Sequence, residues 1–120
     1  VSYFDTDLKE LIGETISSIQ ISEDEITFAL ASGDIWRMHH VHECCEHVYL
    51  EDVVGDPERL IGDPVLHAYK ATGEDPRGYD SAHWTFYRIF TVKGDVTLRW
   101  LGESNGYYSE EVSFEKLPKQ

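Results

Sequence analysis

The sequence predicts an α+β domain, built mainly on a strongly curved antiparallel sheet or small barrel of about seven strands, with one or two short helices. Three observations lead there. β-Branched and aromatic residues fall in short runs that alternate with polar ones. Turns containing Gly, Asp or Asn separate those runs at hairpin spacing. Helix punctuation is confined to two stretches, around residues 5–13 and 55–64.

"DTDLKELIG", residues 5–13, reads as a short helix. Asp5 or Asp7 caps it, Leu8, Leu11 and Ile12 form its apolar stripe, and Gly13 suits its end. "ETISSIQIS" and "EITFALA" follow as strands on either side of the acidic "EDE" at residues 23–25. After the turn "ASGD", "IWRMHHVH" continues as a third strand, completing an antiparallel meander. "HVYLEDVV" has strand composition, with a short helix as the alternative. "GDPERLIGDP" is a turn holding one helical turn, because Pro57 suits a first helical position.

"LIGDPV" at residues 60–65 echoes "LIGETI" at 11–16, and both suggest a helix end handing over to a strand. Six positions without a sustained period are read as shared local chemistry and not as a repeat. "VLHAYKAT" is a further strand, and "GEDPRGYDSAH" has the Gly, Pro and Asp content of a mobile surface loop. The last third then reads as two consecutive hairpins: "WTFYRIFTV", the turn "KGD", "VTLRWL", the turn "GESNG" and "YYSEEVSF". Val96, Leu98 and Trp100 share one face, while Tyr108, Val112 and Phe114 share another that Glu110 interrupts. Trp84, Phe86, Phe90, Trp100 and Phe114 are the expected aromatic core.

A chain of 120 residues accommodates one domain, residues 1–120. Its 41% hydrophobic and 12% aromatic content argues against disorder. No apolar run approaches the roughly 20 residues that a bilayer demands, and "VSYFDTDLKELIG" lacks a secretory pattern. The expectation is a soluble, cytoplasmic protein without membrane contact. With 23 acidic against 10 basic residues, the formal charge is −13. Such a surface repels phosphate backbones, which argues against direct nucleic-acid binding, and it complements basic protein surfaces. An acidic balance that serves solubility alone is the simpler reading.

Cys44 and Cys45 are the two cysteines, and they are neighbours. A bridge between them would staple no distant segments, so two reduced thiols fit better, on opposite faces of an extended segment. They lie within "HHVHECCEH", residues 39–47. Tetrahedral zinc sites bring ligands together from separated pairs. On a strand His40, His42 and Cys44 would lie roughly 6–7 Å apart along one face, too far to share an ion without a bend. No metal site or cofactor is therefore assigned, and His40 and His42 are its weak candidates. A cysteine- or metal-dependent enzyme is the least supported class, since Glu43 and Glu46 would discourage a thiolate.

"GESNGYYSEE", residues 102–111, carries more chemistry. Its glycines expose backbone N–H groups, Ser104 and Asn105 add adaptable hydrogen bonding, and Tyr107 and Tyr108 offer flat faces with polar ends. A plain hairpin loop whose tyrosines pack is the bland alternative. Arg88 and Arg99, on adjoining strands, are placed either to satisfy buried carboxylates or to receive an anion.

The blocks Cys44-Cys45-Glu46, Gly55-Asp56, Trp84-Thr85-Phe86-Tyr87, Arg99-Trp100 and Ser104-Asn105-Gly106-Tyr107-Tyr108-Ser109-Glu110 resemble an uncharacterised family of small proteins from bacteriophages and prophage-bearing bacteria. The resemblance covers most of the chain after about residue 35, and His39, His40 and His42 lie outside its pattern. It implies a setting and no established activity.

Candidate binding residues are therefore Cys44, Cys45, Glu46, Arg99, Trp100, Glu103, Ser104, Asn105, Tyr107, Tyr108 and Glu110. No residue is assigned a catalytic role. The expected function is non-enzymatic: counter-defence or host takeover by stoichiometric capture of a host protein with a basic surface. The alternative is a sponge for a nucleotide-like ligand held by Arg99, Tyr107, Tyr108 and the 102–106 turn. Oligomeric state is not legible.

Overall fold

The computed structural model describes residues 7–74, 81–104 and 110–118. Within them run eight strands: β1 (Ile16–Ile21), β2 (Glu25–Leu30), β3 (Ile35–His39), β4 (His47–Val54), β5 (His67–Glu74), β6 (Ser81–Thr91), β7 (Gly94–Ser104) and β8 (Ser113–Lys116). The two expected helices are single 3-10 turns, Leu8–Leu11 and Pro57–Leu60. Asp7 and Asp56 cap them by accepting from the Lys9 and Glu58 backbone N–H groups. Four residues are too few for an α-helix, so the fold is all-β and not α+β.

The strands form two antiparallel sheets, ordered β1-β2-β3-β8 and β4-β7-β6-β5. Each order has two ends, so among the described residues there is no closed barrel and no single curved sheet. Period-two patterning places one face of every central strand inward. Ile26, Phe28 and Leu30 of β2, and Trp36 and Met38 of β3, are buried. So are Tyr87 and Ile89 of β6 and Val96, Leu98 and Trp100 of β7. These residues join Leu8, Leu11, Leu60 and Phe114 in one core between the sheets. The Trp100 indole N–H donates to Met38 Sδ across it at 3.2 Å. The Tyr87 hydroxyl finds the Val112 carbonyl at 3.1 Å, so this buried polar tip is satisfied.

Two expectations fail here for reasons of pairing. β6 and β7 form the first predicted hairpin, but β8 crosses to the other sheet and pairs with β3, Met38 opposite Phe114. Of the five expected core aromatics, Trp100 and Phe114 are fully buried. Trp84, Phe86 and Phe90 have the opposite parity to buried Thr85, Tyr87 and Ile89, and stand half-buried on the outer face.

The echo of "LIGETI" in "LIGDPV" is a repeat after all. Shifting every element by four strands turns β1-β2-β3-β8 into β5-β6-β7-β4, which is the second sheet. Each half is a capped 3-10 turn and a three-stranded meander, and each lends its fourth strand to the other half. The two echoing segments pair reciprocally. Ile12 bridges Val65 as Ile61 bridges Ile16, and Thr15 meets Pro64 between them. The Gly13 N–H donates to the Val65 carbonyl at 2.8 Å, and the Gly62 N–H to the Ile16 carbonyl at 2.9 Å. Both glycines take positive φ, +88° and +93°. Little similarity survives outside this joint, so the period is invisible without the topology.

Candidate functional site

Strand β3 ends at His39, and the chain then crosses to the second sheet through residues 40–46. A buried carboxylate organises that crossing. Glu46 is 3% exposed and accepts from the Cys44 backbone N–H at 2.8 Å and the Glu43 backbone N–H at 2.9 Å. It also meets the His40 ring Nε2 at 2.8 Å. Burial by itself would raise this carboxyl's pKa, but the Cys44 backbone donor, the His40 ring and the Glu43 backbone donor outweigh it and hold it at about 2, against an ordinary 4.5. The other ring nitrogen of His40 sits 2.6 Å from the Glu111 carbonyl oxygen. Both groups facing the ring, the Glu46 carboxylate and the Glu111 carbonyl, are acceptors. His40 thereby ties the β3–β4 crossing to the segment that leads into β8.

The second exchanged strand has a similar device. Glu110, also buried, engages the His83 ring and the Ser104 hydroxyl. It lies tight against β7: a Cβ built on Gly102 would come 2.7 Å from the Glu110 Cβ and 3.0 Å from its carbonyl oxygen. A glycine inside a long strand is explained by that approach. Each exchanged strand is thus preceded by a buried glutamate held by a histidine.

Beside the first device opens a cleft of about 740 Å³. The β1–β2 turn supplies Glu23 and Asp24, β2 supplies Glu25, β3 supplies Arg37 and His39, and the crossing supplies His40, His42 and Glu46. His47 and Tyr49 of β4, stacked with ring centroids 4.5 Å apart, complete it with Ser22 and Val48. The turn is anchored to β4 by the Leu50 N–H, which reaches the Glu23 carbonyl at 2.6 Å. Among the described residues Arg37 is the one Lys or Arg of the lining, and it is bound to Glu115 and lies 3.7 Å from Glu25. The cleft is therefore rich in carboxylate and imidazole, with its cation already neutralised.

The sequence-predicted residues divide. Glu46 and Glu110 are brought to neighbouring segments through His40 and Glu111, and Ser104 joins Glu110. Trp100 is core. Arg99 and Glu103 lie on the outer side of β7, on the face opposite Trp100 and Ser104, so Arg99 does not share a site with Ser104. Arg99 lies 3.6 Å from Glu51 and 3.7 Å from Asp52, with its guanidinium over the Trp84 ring. Asn105, Tyr107 and Tyr108 lie outside the described residues. Cys44 and Cys45 are both exposed and bonded to each other as a disulfide, not reduced and not on opposite faces of a strand, because residues 40–46 form a loop. His40 and His42 spend ring nitrogens on Glu46 and the 111 carbonyl, His42 reaching the Glu46 carbonyl at 3.1 Å. Among the described residues no group of three or more His, Cys, Asp or Glu is arranged to hold a metal ion. Glu23, Asp24, Glu25 and Arg37 are not singled out by sequence, where "EDE" carries only the signal of a polar turn.

Among the described residues no helix is long and apolar enough to cross a membrane. Searches of curated proteins and of solved structures found no match. A family model described as a domain of unknown function, DUF7448, matches residues 9–114, and the chain belongs to that family.

Proposed function

We propose that this DUF7448 protein is a non-enzymatic binding module that captures, one to one, a protein with a basic surface. The cleft between the β1–β2 turn and the 40–46 crossing carries this reading. Glu23, Asp24 and Glu25 crowd one lip, and the Arg37 guanidinium in the lining is occupied by Glu115 and Glu25. A formal charge of −13 extends that bias over the molecule and favours encounter with basic faces. His40 and Glu46 are shut from solvent and hold each other, which suits a rigid recognition surface better than turnover.

The phage or prophage setting rests on the likeness of the Cys-Cys-Glu, Trp-Thr-Phe-Tyr and Ser-Asn-Gly-Tyr-Tyr blocks to proteins of that origin. With it goes a role as an inhibitor of a host complex in the bacterial cytoplasm. The nucleotide-sponge reading has less support, because Arg99, its proposed anion anchor, is neutralised by Glu51 and Asp52.

The test is retention of basic host proteins on the immobilised chain. Retention should fall as salt rises, and should fall further with Glu23→Gln plus Glu25→Gln. Retention indifferent to both changes would rule this reading out.

A further inference from the structure

Histidine is concentrated in one place. Of the six histidines in the chain, His39, His40, His42 and His47 line the cleft. Among the described residues the lining carries as many imidazoles as carboxylates, the latter from Glu23, Asp24, Glu25 and Glu46, with Arg37 beside them. An ordinary imidazole changes charge between about pH 5 and about pH 8, whereas ordinary carboxylates keep theirs across that range. Protons therefore set the charge of this cleft together with its composition.

Three of the rings meet different neighbours. His39, part-buried on β3, has its Nε2 3.1 Å from Glu115 Oε1 of β8, the same oxygen that accepts from Arg37 Nε at 3.1 Å. Glu25 stands opposite it on β2. A neutral His39 leaves Glu115 to the guanidinium. An imidazolium divides that carboxylate between two cations and puts positive charge on the cleft wall. His42, exposed, donates from Nε2 to the Glu46 carbonyl at 3.1 Å, with the Glu46 carboxylate 3.7 Å away and the His40 ring centroid at 6.3 Å. His47, exposed on β4, stacks on Tyr49 of its own strand and stands opposite Glu103 of β7. Glu23 and Asp24 complete the charged lining from the β1–β2 turn. His40 differs from these three: it is almost shut from solvent, with both ring nitrogens engaged by Glu46 and the Glu111 carbonyl. It belongs to the crossing's own joint.

We infer that the cleft is proton-gated: it holds a basic partner while His39, His42 and His47 are neutral and releases it as they become imidazolium. This regulation rests on the binding reading above. The lining carboxylates outnumber the lining guanidinium by three, so three added positive charges cancel the excess that attracts the partner. Proton and partner compete for the same carboxylates. Linkage then requires the converse, that a bound cation opposes protonation of the three rings and capture releases protons.

The experiment measures the affinity of the full chain for fluorescent oligo-lysine by anisotropy, at about pH 7.5 and about pH 5.5 and at equal salt. The peptide keeps its charge across that range. Affinity should fall about tenfold on acidification. With His39→Gln, His42→Gln and His47→Gln combined, the fall should shrink to less than about twofold, whatever the variant's affinity at the higher pH. His42→Gln with His47→Gln, which spares the first sheet, should give an intermediate fall. His67→Gln, on β5 outside the lining, should keep the whole fall and so separate the cleft from net charge. Thermal melts at both pH values confirm folding. Equal affinity at the two pH values overturns the gate alone. So does a full fall in the folded triple or double variant, or a fall lost in His67→Gln. Failure of the peptide to bind at the higher pH overturns the capture reading and the gate with it.

Discussion

His40 and Glu46 meet at 2.8 Å with both side chains almost wholly removed from water, at the point where the chain leaves one sheet for the other. The pair makes the crossing sensitive to acid. Folding lowers the Glu46 pKa from 4.5 to about 2. A carboxylate shifted down by folding stabilises in full above its unfolded pKa and loses that contribution as pH falls through its folded one. Between about pH 5 and about pH 2, the wild type should lose melting temperature more steeply than Glu46→Gln, which has no proton to take up. Parallel loss in the two proteins would show that the Glu46 charge is not what holds the crossing.

Gly102→Ala should destabilise by about 1–3 kcal/mol, because its methyl must push the Glu110 segment off β7. Urea unfolding measures this. An unchanged midpoint would mean that residue 110 does not press on the strand.

The reciprocal joint makes a paired prediction. Gly13→Ala and Gly62→Ala each force a side chain into the left-handed region without a steric clash nearby, since the nearest neighbour, Lys93 Nζ beside Gly62, is 3.7 Å away. Each should cost about 1–2 kcal/mol, and the two costs should agree. A large inequality between their denaturation midpoints would argue that the two copies of the joint do not carry equal load.

Cys44→Ser combined with Cys45→Ser should change stability by less than about 0.5 kcal/mol. Both residues are exposed and one apart, so their bond closes almost no loop, and the Cys44 backbone N–H still reaches Glu46. A large drop in midpoint, reproduced by dithiothreitol on the wild type, would instead make the bond an organiser of the crossing.

Most strands were legible in the sequence because alternation reports a half-buried ladder directly: Ile26, Phe28 and Leu30 behave as their spacing implies. The same rule misled at Trp84, Phe86 and Phe90. Alternation says that two faces differ, and on β6 both faces carry large apolar residues, so composition could not tell which one met the core. For β8 the sequence points to the wrong partner, because a turn beside two strand-like runs normally signals a hairpin. Its true partner β3 lies more than 70 residues back in sequence. The candidate site was half legible: Glu46 and Glu110 were named for their family-like blocks. The acidic turn, Arg37 and the role of His40 emerge only when distant strands bring them together.

The sequence by itself determined the local matters: where chain turns and extends, where the 3-10 caps fall, and that the molecule carries a large negative charge. These follow from backbone preference, side-chain period and ionisation, which each residue settles with its near neighbours. Only the tertiary structure decided the exchange of β4 and β8, the duplication behind the "LIG" echo, the burial of two glutamates and the aromatic outer face. Those depend on which distant backbones share hydrogen bonds and which side of a strand loses its water, and no stretch of residues encodes that choice alone.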